Sequence, residues 1–177
     1  VMHGTRGYRL NPDATAMLER GDRRIYSVCA TEKSDQWCLI SFSVPEEMRA
    51  VRHQVRRHLH WLGCGSINNG LFICPYHLVE EIADVLHAFE VRPHAVIARA
   101  DRLQPGIAFE TAVGQWWDLD ELARLHRQFI DTARALVIGP SPVEPRLAFH
   151  RFVTGVDAWR MIPYRDPGLA SDLLPEN

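Results

Sequence analysis

Between Trp37 and Ala100 the apolar periodicity switches between two residues and three to four in a set order, and this restricts the folding of the chain more than any other feature. Trp37 to Val44 alternates, with Cys38, Ile40, Phe42 and Val44 on one side and Trp37, Leu39 and Ser41 on the other, the pattern of a strand. Pro45 stops it. Glu46 and Glu47 then suit a first helical turn, where carboxylates offset the helix dipole, and Met48, Val51, Val55, Leu59 and Leu62 recur at helical spacing until Gly63. Ser66 to Asn68 and Leu71 to Cys74 read as short strands joined at Asn69-Gly70, a strong hairpin signal. Pro75 opens a second helix, apolar through Leu78, Ile82, Val85, Leu86 and Phe89 and acidic through Glu80, Glu81 and Asp84. Pro93 ends that helix, and His94 to Ala100 makes a last strand.

The order β-α-β-β-α-β is the ferredoxin-like arrangement, so an α+β fold with a ferredoxin-like central domain at 37–103 is predicted. Two helices cover one face of such a sheet. The other face needs burial too, by a partner subunit or by the rest of the chain. After Asp101 the signals are helical, and an all-helical C-terminal domain is expected over 104–177. Ile107 to Trp117 forms one segment. Asp118 follows as N-cap, with Glu121 at the third position of a capping box, and Leu122, Leu125, Phe129, Ala133 and Leu136 continue the helix. Gly139-Pro140-Ser141-Pro142 breaks the run. A final helix carries Leu147, Phe149, Phe152, Val156 and Trp159, and Arg165-Asp166-Pro167-Gly168 is expected to turn on a local Arg165–Asp166 ion pair.

At the other end, His3-Gly4-Thr5-Arg6-Gly7 is turn-rich, Tyr8-Arg9-Leu10 suits a returning strand, and Asn11-Pro12-Asp13 starts a helix containing Met17, Leu18 and Ile25. A basic-tipped hairpin leading into a helix is how a winged helix-turn-helix domain ends, so 1–26 is expected to be the remnant of one; any β-turn-β-α unit reads the same way. The chain starts Val1-Met2-His3 inside this hairpin, which reads as a fragment.

The 177 residues suit one generous domain or two small ones, and 46% apolar with 24% charged residues is ordinary for a globular protein. The net charge of −2 exerts no overall pull on nucleic acid or an anionic membrane. It conceals an asymmetry: residues 1–62 carry ten basic against seven acidic side chains, the remainder ten against fifteen. Lys33 is the single lysine among the basic residues. No apolar run reaches the ~20 residues of a membrane span and no signal-peptide pattern opens the chain, so a cytoplasmic protein without membrane contact is expected. Cys29, Cys38, Cys64 and Cys74 form no C-x-x-C pair and are expected to be reduced and mostly buried.

No G-x-S-x-G, phosphate-binding loop, H-E-x-x-H or dinucleotide fingerprint is present, and Ser41 and Ser43 have no local sign of activation. His53 and His60 share a helix face, but one lined with arginines that repel a metal cation, so neither a metal nor another cofactor is expected. Small CRISPR-adaptation nucleases with a ferredoxin-like fold hold their metal through an aspartate at the end of the first strand. Here that place is Phe42, Ser43 and Val44, which counts against the rival reading of a metal-dependent nuclease. Arg49, Arg52, Arg56 and Arg57 form a basic stripe able to hold phosphates of DNA or of a CoA-type ligand, or simply a solvated face. Trp116-Trp117 either lines an apolar ligand pocket or packs between the two halves.

Three segments together resemble PaaX-type transcriptional repressors, the regulators of phenylacetate degradation. They are Phe42-Ser43-Val44-Pro45-Glu46 running through Trp61-Leu62-Gly63-Cys64-Gly65-Ser66 to Gly70-Leu71-Phe72-Ile73-Cys74-Pro75; Trp117-Asp118-Leu119-Asp120 with Leu122 and Phe129; and Arg165-Asp166-Pro167-Gly168-Leu169 with Leu173-Leu174-Pro175. Cys64 departs from the family, which often has an aromatic residue there. The resemblance implies a non-enzymatic repressor: a winged helix that binds operator DNA, a central ferredoxin-like dimerisation domain and a helical C-terminal domain. Its effector would be an aryl-CoA thioester such as phenylacetyl-CoA. On that footing His3, Thr5 and Arg6 are the candidate DNA contacts of the wing, and Arg49, Arg52, Arg56, Arg57 and Trp117 the candidate effector contacts. A ligand-binding domain without a DNA role is the further rival.

Overall fold

The computed structural model describes Thr15, Leu18, Gly21, Asp22, Arg24, Ile25, residues 36–138 and 144–170, Leu173 and Leu174. The candidate wing residues His3, Thr5 and Arg6 lie outside them, as does Cys29. The architecture is α+β. Strand β1 (Trp37–Phe42) is followed by helix α1 (Arg49–Trp61), β2 (Gly65–Asn68), β3 (Leu71–Pro75), α2 (Val79–Ala88) and β4 (Ala95–Ala100). They form a four-stranded antiparallel sheet in the order β2-β3-β1-β4. Cys38 pairs with Cys74 and Ile40 with Phe72 across β1 and β3, and Asn69-Gly70 closes the β2–β3 hairpin, with one irregularity between Ser66 and Asn68. After α1, α2 and the sheet come α3 (Phe109–Trp116), α4 (Leu119–Val137), α5 (Pro145–Trp159) and the single turn α6 (Ile162–Arg165), which had no periodic signal.

The two faces of the sheet are buried differently. Cys38, Ile40, Phe42 and Val44 point to α1 and α2, where Val55, Leu59, Ile82 and Leu86 are fully enclosed. Each fully buried Leu or Ile contributes roughly 1.5–3 kcal/mol, so this layer is the main store of stability in the central unit. Trp37, Leu39 and Ile73 point the other way, onto Val113 of α3, Trp117, and Leu169, Ala170 and Leu173 of the last segment. The rest of the same chain therefore supplies the second layer. The boundary expected near residue 103 falls within one continuous packing, because the C-terminal residues complete the core of the sheet.

Two helix ends show local chemistry settling geometry. At the end of α1, Gly63 adopts φ +83°, its N–H donates to the His60 carbonyl at 3.0 Å and Cys64 N–H to the Leu59 carbonyl at 2.9 Å. That pair of bonds is a Schellman motif, for which glycine is favoured. α2 ends the same way, with Val91 N–H to Leu86 carbonyl at 2.8 Å, but the left-handed position is Glu90 at φ 57°. Pro93, expected to end the helix, sits beyond this cap in a 3-10 turn.

Among the described residues no helix is long and apolar enough to cross a membrane. Thr15, Leu18, Gly21, Asp22, Arg24 and Ile25 are helical. This segment is tied to the rest by Arg24, whose Nε donates to the Pro163 carbonyl and Nη2 to the Leu62 carbonyl, each at 2.7 Å, and whose Nη1 pairs with Glu81. Trp159 Nε1 adds a bond to the Ile25 carbonyl at 2.9 Å.

Candidate functional site

The three segments singled out in the sequence meet at one place. A side chain at Gly63 would put its Cβ 3.1 Å from Pro167 N, and one at Gly65 would stand 2.7 Å from Trp117 Cε2. Two glycines thus allow the turn at 165–167 and the indole of Trp117 to lie directly on the backbone that follows α1. Trp117 Nε1 donates to the Gly63 carbonyl at 2.8 Å, which satisfies the one polar atom of a buried ring.

Around this contact a cavity of about 230 Å³ opens. His60, Gly63 and Cys64 form one wall, Trp116, Trp117, Leu122 and Leu125 the apolar side, and Asp118, Glu121 and Arg165 the rim. An apolar cavity of ~150 Å³ is enough for a benzene ring. By volume this cavity would hold one ring-sized group.

The rim is a charge network. Asp118 caps α4, its side chain accepting from Glu121 N–H at 2.9 Å, as a capping box requires. The Glu121 carboxylate does not return to the cap. It accepts from Arg124 Nε at 2.6 Å and Nη2 at 2.7 Å and pairs with Arg165 at 3.3 Å, and hydrogen bonding from Arg124, helped by the charge of Arg165, holds it below the usual glutamate range. The expected Arg165–Asp166 ion pair is replaced by two longer-range contacts. Arg165 reaches Glu121, and Asp166 accepts from His126 Nε2 at 2.8 Å and from Gly168 N–H at 2.7 Å. The turn is held by Asp166, but through the backbone of Gly168 and a side chain of α4. His60 Nδ1 donates to the Cys64 carbonyl at 3.2 Å, which leaves Nε2 as the acceptor of the neutral ring.

Of the candidate effector residues only Trp117 lines the cavity, and it does so while packed in the sheet core. The arginines follow the outer side of α1 away from it. Arg52 Nη2 donates to the Val44 carbonyl at 2.9 Å, and Arg56 to the Asn69 carbonyl at 2.9 Å, so these two fasten the strand end and the hairpin. Arg49 is 68% exposed and only loosely paired with Glu46 at 3.8 Å, and Arg57 is exposed. His60 continues their stripe by one turn and connects it to the pocket mouth. The sequence places it only on a solvated basic face, because its wall of the cavity exists only once the tertiary contact forms.

Cys38, Cys64 and Cys74 are free and buried, and Cys64 also touches the pocket. Hydrogen bonds with Cys38 and Cys64, together with burial, push the Cys74 thiol far up, so it stays protonated. Among the described residues no group of three or more His, Cys, Asp or Glu side chains could hold a metal ion, and Ser41 and Ser43 line no part of the pocket.

Residues 30–112 match the family described as PaaX protein central Cas2-like domain, and residues 117–177 the family described as PaaX-like protein C-terminal domain. The transcriptional repressor PaaX of Escherichia coli (strain K12) is 22% identical over 174 residues, covering 95% of this chain and 54% of the repressor. The chain spans about half the length of that curated relative. A solved structure, uncharacterized protein Rv0674 from Mycobacterium tuberculosis, is similar with a TM-score of 0.55 and 22% identity, covering 96% of this chain and 64% of the other. That likeness concerns the fold alone.

Proposed function

The chain belongs to the PaaX family, and from that premise we propose that it is the effector-binding and assembly part of a homodimeric transcriptional repressor of a catabolic operon, without enzymatic activity. Operator DNA would be its macromolecular partner, and an aryl-CoA thioester of the phenylacetyl-CoA type the effector that relieves repression. The observation that carries the effector site is the convergence of three distant segments on one ring-sized pocket. An aryl group enters between Trp117, Leu122 and Leu125, and the nucleotide end follows His60 out along α1, where Arg57 and Arg49 meet its phosphates through charge-assisted hydrogen bonds.

The central unit is read as ferredoxin-like over 37–103, which the β-α-β-β-α-β order and the sheet order β2-β3-β1-β4 support, with helical 104–177 as its C-terminal domain. Residues 1–26 are read as the end of a winged helix, with His3, Thr5 and Arg6 at the DNA. The protein is read as cytoplasmic.

Isothermal calorimetry with phenylacetyl-CoA tests the effector site. Wild type binds. Arg57→Ala loses on the order of tenfold in affinity, the worth of one charge-assisted phosphate contact, and Arg52→Ala loses less because its donors serve Val44. No binding to wild type, or equal binding by all three proteins, refutes the site. Operator binding by the longest gene product carrying this chain tests the regulator: Arg6→Ala should weaken a gel shift at physiological salt, and unchanged affinity counts against the wing.

A further inference from the structure

Two walls of the cavity come from distant parts of the chain, His60, Gly63 and Cys64 at the end of α1 and Arg165 at the end of α6, and their backbones meet at a seam. A Cβ at Gly63 would stand 3.3 Å from the Arg165 carbonyl oxygen. One side chain that belongs to neither wall holds this seam. Arg24 donates from Nη2 to the carbonyl of Leu62, the residue before Gly63, and from Nε to the carbonyl of Pro163, two residues before Arg165, each at 2.7 Å. Nη2 also reaches the Tyr164 carbonyl at 3.4 Å, and Glu81 of α2 pairs with Nη1 and fixes the guanidinium. A second layer repeats the connection: Trp61 of α1 stacks on Tyr164 of α6 with ring centroids 5.3 Å apart, and the Arg24 Cζ lies 5.4 Å from the centre of the same tyrosine ring. Gly21 lets the helix that carries Arg24 come this close, since a Cβ there would stand 3.2 Å from Tyr164 Oη.

We propose that Arg24 is a latch coupling the cavity to the helix at 15–25. The cavity takes a ring by volume, and an acyl arm continuing from that ring passes between His60 and Arg165 and parts the two walls. A guanidinium is a rigid planar fork, so it cannot follow both carbonyls when they separate. One bond breaks, and the helix at 15–25 loosens. By linkage, loosening the latch eases entry of the ligand. The seam is the two-state element: closed with both carbonyls on one guanidinium, open with one of them lost. The helix belongs to the stretch read as the end of a winged helix, so the latch reports occupancy of the cavity toward the DNA-binding side. The side chain is 7% exposed, which keeps water from replacing a lost bond cheaply.

The proposal rests on the ligand site of the preceding section, and calorimetry with phenylacetyl-CoA on the 177-residue chain separates the two. Arg24→Met should bind on the order of tenfold more tightly than wild type, because opening no longer breaks a charge-assisted bond worth about that factor. Glu81→Gln, a milder change that keeps Arg24, should gain roughly two- to threefold and serves if Arg24→Met does not fold. Trp159→Phe is the control. It removes the bond from Nε1 to the Ile25 carbonyl, which ties the same helix to α5 and bridges no wall of the cavity, so affinity should stay as in wild type. In wild type, saturating ligand should quicken amide exchange at Gly21, Arg24 and Ile25 severalfold. No binding to wild type overturns the ligand site and the latch with it. Binding to wild type with no gain in Glu81→Gln or Arg24→Met, with an equal gain in Trp159→Phe, or with unchanged exchange overturns the latch alone and leaves the site standing.

Discussion

Replacing Arg24 with methionine should cost the folded protein about 2–4 kcal/mol, and the structure says where the loss arises. The side chain is 7% exposed and serves Glu81 together with the carbonyls of Leu62 and Pro163, with Cζ 5.4 Å from the centre of the Tyr164 ring. Methionine keeps most of the volume and removes every donor. Each carbonyl left without a partner in a water-poor place costs about 1–3 kcal/mol, whereas Glu81, 26% exposed, recovers part of its loss from water. For a chain of this size each kcal/mol lowers the melting temperature by roughly 2–4 °C, so a fall of about 5–15 °C is expected. Urea unfolding followed by tryptophan fluorescence measures it, and Glu81→Gln alone should cost about 1 kcal/mol. Amide exchange in the helix around Arg24 should also accelerate, because this residue joins that helix to α1, α2 and α6 at once. A loss under about 1 kcal/mol for Arg24→Met would show that the cluster is solvated and would refute the reasoning.

Other outcomes follow from single contacts. Gly65→Ala should destabilise by about 1–3 kcal/mol in urea unfolding, because the new methyl meets Trp117 at 2.7 Å and the indole is pinned by its bond to Gly63; a change within about 0.5 kcal/mol contradicts that packing. Glu90→Gly should raise stability by about 0.5–1 kcal/mol, since glycine accepts the left-handed cap that glutamate now strains to hold, and a lower melting temperature refutes it. Glu121, held below its ordinary value of 4.5 by Arg124 and Arg165, contributes stability that is present above that value and lost as pH falls through the lower folded value. Wild type should therefore exceed Glu121→Gln in stability near neutrality and lose that advantage in acid; a constant difference across the range sinks the assignment.

Elements that depend on neighbours in the chain could be read from the residues themselves. Period-two and helical spacings located four strands and two helices between Trp37 and Ala100, Asn69-Gly70 marked the hairpin, and Asp118 announced the start of α4, because backbone sterics and capping act within a few residues. Trp117 reads as a ligand-pocket or a packing residue in the sequence; it packs in the core on the sheet, and the cavity opens beside it. The left-handed cap at Glu90 escaped notice because its residue type disguises it, and α6 because one turn has no period.

What only the tertiary structure decided was which distant surfaces touch. Alternation along β1 announces two buried faces but not that Leu169, Ala170 and Leu173 would close the second. Arg165 and Asp166, neighbours of opposite charge, turn away from each other to Glu121 and His126, because those side chains stand in better geometry on α4. Gly63 and Gly65 look like simple helix-end and strand-edge glycines, yet their missing Cβ atoms are what allow the turn at 165–167 and the Trp117 ring to approach and form the pocket. Local sequence specifies backbone states through sterics that decay within a turn. Contacts over a hundred residues of separation are selected by the packing of whole layers, and a site made from three such segments exists only after they pack.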